Sequence, residues 1–116
     1  MQIERTGTQS FLGRAVRQDG RVRLVLRGEL NISIARELGR ALSRAARLGA
    51  NVLIIDLSSA DLADSAALGA LVLAQKEARR NESDVVLAGV TGKTRHVLEI
   101  TGLDRAFRIV PTDEER

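Results

Sequence analysis

Three carboxylates and three hydroxyls crowd into one short stretch, Asp56-Leu57-Ser58-Ser59-Ala60-Asp61-Leu62-Ala63-Asp64-Ser65. Carboxylates so placed could hold a hard cation, and a hydroxyl could act as a nucleophile. The spacing of Asp56, Asp61 and Asp64 differs from that of a Ca²⁺-binding loop, and turn and cap duties account for the same residues. Ser65 lacks the Gly-x-Ser-x-Gly turn that presents a hydrolase nucleophile, and its one conceivable base is His96, the single histidine. No Asp or Glu stands at a metal-binding spacing from His96, so it reads as a surface or half-buried helix residue. Gly92-Lys93-Thr94 imitates a phosphate-cradling loop, and Val52 to Asp56 imitates the acidic strand end that holds magnesium. The cradle requires the pattern Gly-x-x-x-x-Gly-Lys, however, and Leu87 stands where its first glycine belongs. The two halves also occur in reversed order. No catalytic residue, metal site or cofactor is expected, and the chain is read as a non-enzyme.

What distinguishes the stretch is its position between two elements. Val52 to Ile55 is an unbroken, largely β-branched run, which predicts a strand buried on both faces and ended by Asp56. Asp64-Ser65 offers two consecutive N-cap side chains, and Leu68, Leu71, Val72 and Gln75 then recur on one helical face. A loop from Ser58 to Asp64 therefore leads into a helix whose start faces solvent. Unpaired first-turn N–H groups carry partial positive charge, so an anion placed there gains roughly 0.3 to 1 kcal/mol. Ser65 is expected to cap the helix, and its replacement by Ala to cost about 1 kcal/mol.

The other elements follow from periodicity. Residues 1–8 read as frayed. Phe11 to Arg17 and Arg21 to Arg27 alternate about Asp19-Gly20, a hairpin signal, with Val22, Leu24 and Leu26 on one face and Arg21, Arg23, Val25 and Arg27 on the other. Gly28-Glu29-Leu30-Asn31 leaves the strand, and Asn31 or Ser33 caps a helix that runs to about Leu48 and stops at Gly49. Ile34, Leu38, Ala41, Leu42, Ala45 and Leu48 form its buried stripe; Arg36, Arg40, Arg44 and Arg47 form an exposed one. Val85 to Val90 is a further apolar strand, parallel to Val52 to Ile55 by the βαβ rule. A helix over Thr91 to Thr101 closes at Gly102, Phe107 to Val110 is a last strand, and residues 112–116 are an acidic tail. The reading is an α/β fold, a single domain over residues 1–116 with a mixed β-sheet covered by helices, in the order β-β-α-β-α-β-α-β.

Composition narrows the possible roles. With 44% hydrophobic residues in 116, the chain can bury one ordinary core. Aromatics amount to 2%, Phe11 and Phe107, which leaves almost nothing for base stacking. Cysteine is absent, which excludes disulfides and thiolate chemistry. No segment approaches the ~18 apolar residues of a membrane span, no export signal precedes the fold, and the cytoplasm is the expected compartment. Charge is uneven: residues 1–50 hold ten Arg against four acids, and the remainder eight bases against eleven acids. Solvated strand and helix faces explain this, ahead of an acidic protein partner and well ahead of DNA, so no nucleic-acid partner is expected.

Three segments resemble one family. Asp56-Leu57-Ser58 through Asp64-Ser65-Ala66-Ala67-Leu68-Gly69 is similar to the signature of STAS domains, the anti-sigma-factor antagonists, which runs Asp-Leu-Ser, a spacer, then Asp-Ser-Ser-Gly-Leu-Gly. Gly28-Glu29-Leu30-Asn31 resembles the family's Gly-Glu-Leu-Asp, and Thr101-Gly102-Leu103 through Phe107-Arg108-Ile109 its C-terminal Gly-Leu-x-x-x-Phe-x-Ile. The resemblance spans about residues 20–115. It implies a small α/β domain that binds a kinase-like anti-sigma factor and frees a sigma factor, with phosphorylation of the domain breaking the complex. The phosphoacceptor it implies is the second hydroxyl of Asp-Ser-Ser-Gly; here that position is Ala66, the following Gly is Ala67, and the Asp of the first motif is Asn31.

Two readings follow, with an unrelated small-molecule binder third. In the first, the chain binds its partner through Asn31, Ser58, Ser59, Asp61, Asp64, Ser65 and Ala66 and escapes the phosphate switch at position 66; Ser65 is the substitute acceptor to check, and a phosphate there would overturn this reading. In the second, the fold serves as a subunit of a larger assembly, such as a lipid-transport ATPase complex or a stress-signalling particle.

Overall fold

The computed structural model describes residues 2–4, 11–62 and 64–110. Six strands form one sheet in which spatial order equals chain order: β1 (Gln2–Glu4), β2 (Phe11–Gln18), β3 (Arg21–Leu30), β4 (Val52–Leu62), β5 (Asp84–Ala88) and β6 (Arg108–Val110). The pairs β1–β2 and β2–β3 are antiparallel and the remaining three pairs are parallel, so the sheet is mixed. Each parallel connection carries a helix: α1 (Ala35–Ala46), α2 (Ser65–Arg80) and α3 (Gly92–Thr101). Single 3₁₀ turns at Ile32–Ile34 and Leu103–Arg105 precede α1 and follow α3. The expected order thus holds within residues 11–110. Gln2–Glu4, within the segment read as frayed, is paired with β2; the rest of residues 1–8 and the acidic tail lie outside the described residues.

Side-chain alternation decides which residues meet the helices, and because Ile54 and Val86 on the opposite face are buried as well, β4 is covered on both sides as expected. Val22, Leu24 and Leu26 of β3, Leu53, Ile55 and Leu57 of β4, and Val85 and Leu87 of β5 meet the helical stripe Ile34, Leu38, Ala41, Leu42 and Ala45 and, from α2, Ala67, Leu68, Leu71, Ala74 and Ala78. Leu48 sits at the margin, half-buried. A core of aliphatic side chains needs shape rather than aromatic bulk, and each fully buried Leu or Ile contributes roughly 1.5 to 3 kcal/mol. The Asp19-Gly20 turn has positive φ at both residues, 52° and 77°, as a two-residue hairpin requires. Its Gly20 carbonyl accepts the Asn51 N–H at 2.7 Å, which ties the hairpin to the start of β4.

The central strand departs from the expectation. It does not stop at Asp56 but continues to Leu62, and β3 likewise continues to Leu30 beside it, so Ser58 to Leu62 is strand rather than loop. A carboxylate in the middle of a buried strand reads as a terminator only while its partners are unknown. Asp56 is 5% exposed, and its Oδ2 receives Arg23 Nη2 from β3 at 2.8 Å. Its Oδ1 accepts the Ser58 N–H at 2.9 Å and the Ser58 hydroxyl at 2.7 Å. Between the pairs Val25–Asp56 and Arg27–Ser59 the register slips, so β4 carries one residue more than β3. This bulge inverts the alternation: Leu57 faces the core, Ser58 and Ser59 are both exposed, and Ala60 and Leu62 return to the core.

Candidate functional site

The ends of β3 and β4 lie side by side, with Leu30 opposite Leu62, and deliver the chain to the starts of two helical segments. Asp64 holds those starts together. Its Oδ1 accepts the N–H groups of Ala66 (3.0 Å) and Ala67 (3.4 Å), which caps α2, while its Oδ2 accepts the Ile32 N–H (2.8 Å) of the turn before α1. Asp64, not Ser65, is therefore the N-cap, and the expected Ser65 cap is replaced. Asp64 has the extended backbone a cap needs, φ −161°, and its two-oxygen acceptor reaches both helical segments, which a single hydroxyl cannot. Ser65 occupies the first helical position with an exposed side chain.

On the neighbouring turn Asn31 resolves the alternative between itself and Ser33. Its Oδ1 accepts the Ser33 N–H (3.0 Å) and the Ser33 hydroxyl (2.6 Å), and its Nδ2 donates to Glu29 Oε1 at 2.9 Å. Between Asn31 and Ser33 stands Ile32, 75% exposed. The sequence reading passed over Ile32, although a signal was present. Ile34 is already committed to the core stripe, and two positions apart on a helical turn do not share a face, so Ile32 must point elsewhere.

The structure thus gathers Asn31, Ile32, Asp64, Ser65 and Ala66 at the two helix starts. Ser58, Ser59 and Asp61 lie back along β4, with Ser58 four residues or ~13 Å of extended chain from Leu62. Asp61 is exposed and paired in register with Glu29, which adds a second carboxylate on the adjacent strand. Ser59 is exposed opposite Arg27. The Ser58 hydroxyl is engaged by Asp56 and holds the bulge, so its first duty is architectural. Burial raises the Asp56 carboxyl pKa, but the two bonds from Ser58 and the Arg23 guanidinium outweigh it and leave the group below its usual value.

Elsewhere, Thr91 caps α3 by accepting the Thr94 N–H, Thr94 is buried, and Lys93 is exposed, so Gly92-Lys93-Thr94 is an ordinary capped helix start. His96 is exposed on α3. Among the described residues no three His, Cys, Asp or Glu side chains converge as a metal site would require, and no helix is long and apolar enough to cross a membrane. The arrangement at and beside the helix starts brings together hydrogen-bonding edges, the carboxylates of Glu29, Asp61 and Asp64, and one exposed aliphatic side chain, Ile32.

Replacing Asp64 with Ala removes acceptors for three backbone N–H groups at once. A cap alone is worth about 1 kcal/mol; with the link to Ile32 lost as well, a decrease of about 2 kcal/mol is expected in urea unfolding. Asp64→Asn keeps one oxygen acceptor and should lose less. Equal losses for the two variants would show that the two-sided cap is not what the carboxylate supplies.

Comparison with known proteins gives this geometry a family. An anti-sigma factor antagonist from Mycobacterium paratuberculosis superposes with a TM-score of 0.79 at 24% identity, over 89% of this chain and 87% of that one. TM1081 from Thermotoga maritima gives a TM-score of 0.76 at 28% identity, over 84% of each chain. The anti-sigma factor antagonist SpoIIAA of Bacillus, in its unphosphorylated form, gives 0.71 at 19%, over 88% of this chain and 90% of that one. Likeness at such identities is one of fold, but the sequence profile of the STAS domain matches residues 14–115, from β2 through the last strand and beyond. With the bulged central strand and capped second helix lying inside that match, the chain belongs to the STAS domain family.

Proposed function

We propose that this domain is a non-enzymatic regulatory module that docks a kinase-like anti-sigma factor, and so releases a sigma factor, through the surface around the starts of the two helical segments. Asn31, Ile32, Asp61, Asp64, Ser65 and Ala66 form that surface, with Ser59 at its margin. The observation that carries the reading is the shared cap: one carboxylate holds both segments in fixed relation while Ser65 and Ile32 beside it stay exposed. An apolar side chain of this exposure, ringed by polar groups, is the usual composition of a contact patch. SpoIIAA, which shares the fold, exists in unphosphorylated and phosphorylated forms. A phosphate brings about −1.5 to −2 charges, which a helix start tolerates and a fitted interface does not. Ala66 carries no hydroxyl, and in this proposal the complex is insensitive to phosphoryl transfer at that position.

The test is incubation of the purified chain with its cognate kinase-like anti-sigma factor and ATP, followed by mass spectrometry and a binding measurement. Capture of the kinase, undiminished by ATP, with no phosphate added to the chain is the expected result. Phosphate on Ser65 would overturn the escape from the switch. If a pull-down from the native cell retains membrane ATPase subunits in place of a sigma-regulating kinase, the docking assignment fails.

A further inference from the structure

Running on from that surface, which it meets at Ala66, a long groove about 1130 Å³ in volume lies between α1 and α2. Both helices follow strands of one parallel pair, so they run side by side in one direction, from Ala35 and Ala66 at one end to Arg47 and Arg80 at the other. The floor is made of small residues. A Cβ placed on Gly39 or Gly69 would meet nothing within 4 Å among the described residues, so nothing there prevents close approach of another backbone. Leu73, 67% exposed, stands on the α2 side as an apolar contact for whatever enters. The rim is basic: Arg36, Arg40, Arg44, Arg47, Lys76 and Arg80 border the groove against a single carboxylate, Glu77. That carboxylate is already taken, since Oε1 accepts the Ser43 hydroxyl at 2.7 Å and Oε2 pairs with Arg47 Nε at 3.2 Å. The remaining five cations have no carboxylate partner among the described residues.

We infer that this groove is the docking site for an acidic amphipathic helix of a protein partner. Charge complementarity selects the sign: a row of cations on both rims with the local acid consumed attracts carboxylates and repels a basic segment. Shape selects the element. Two parallel helices with glycines along the trough accept a third helix, and α1 spans ~18 Å, the length of about three helical turns. One apolar stripe of the incoming helix lies on the Ala, Gly and Leu73 floor while its flanking Glu and Asp reach the rims. A nucleic-acid strand would bring charge but nothing to cover the apolar floor. This site goes beyond the surface proposed above and does not depend on the identity of the partner bound there.

The probe is a stapled peptide of about four helical turns with Leu on one stripe and Glu on both flanks, titrated into the isotope-labelled full chain. Amide shifts confined to α1 and α2, including the Gly39 and Gly69 resonances, are expected. Arg40→Glu with Arg80→Glu should weaken binding roughly tenfold. Gly69→Phe should do the same by filling the floor, and because it replaces a helical glycine over open space, its melting temperature should match that of the parent. Equal shifts from a scrambled peptide of the same composition would overturn the proposal. So would stronger association with phosphatidylserine vesicles or duplex DNA, or a concentration-dependent dimer that closes the same residues. Because the kinase-like partner is absent from this experiment, its outcome is separable from that of the ATP-dependent capture.

Discussion

Gly89→Ala is expected to lower stability by about 3 kcal/mol or more, measured by urea unfolding, although the change adds one methyl group. Gly89 follows β5 with φ +66°, a region that L side chains rarely adopt. A Cβ there would stand 2.6 Å from Ser58 Cβ, 2.8 Å from the Ser58 backbone nitrogen and 3.0 Å from Asp56 Oδ1. The nitrogen cannot withdraw freely, because it donates to Asp56 and forms the bulge of β4. Strain and clash therefore act together. Gly102→Ala separates them: φ is +77° but the added carbon meets nothing within 4 Å, so only the left-handed backbone is penalised, by roughly 1 to 2 kcal/mol. If both variants lose the same amount, the bulge is softer than its hydrogen bonds indicate and close packing against Ser58 is not what the glycine provides.

Removing the Asp56 carboxylate is the second large effect. Asp56→Ala deprives the half-buried Arg23 of this partner and leaves the Ser58 N–H and hydroxyl without their acceptor. Breaking a buried pair and stranding such groups costs about 2 to 4 kcal/mol, discounted here for the partial exposure of Arg23, and the melting temperature should fall by roughly 10 °C. The pH dependence has a definite sign. The carboxyl pKa lies below 3.8 in the folded state, so the fold prefers the ionised form. The resulting stability is fully present above the unfolded-state pKa and is lost as pH falls through the folded value, that is, from about pH 4 downwards. Asp56→Asn should flatten this part of the acid-unfolding curve, and a profile parallel to the parent's would assign the acid response to other carboxylates.

The same carboxylate shows where sequence reading reached and where it stopped. Alternation in Arg21 to Arg27 and the 3.6-residue stripe from Ile34 are local patterns repeated several times, the Asp-Gly turn is a single local signal, and the structure places all three as read except Leu48, which lies past the end of α1 and is half-buried. Asp56 is a single long-range decision. Its charge marks a strand end unless Arg23, a full crossover away, is known to face it, and so from sequence alone the last part of β4 reads as a loop. The register slip at Leu57 and Ser58 was hidden for the same reason, since two adjacent serines look like a turn until the ladder beyond them is seen. At the helix start, Asp64 and Ser65 are both good caps by type, and the choice rests on a bond to Ile32 that no local pattern reports. Position 66 was legible directly, because an alanine excludes hydroxyl chemistry in any fold.

A sheet whose spatial order repeats its chain order need never wait for a distant segment. Every strand finds its partner in the one synthesised just before it, with about thirty residues at most between paired positions, so loop-closure entropy stays small at each step. A nascent chain emerging N-terminus first can add one strand and its covering helix at a time to the growing edge, so that the edges open at any moment are the β1 side and the newest strand.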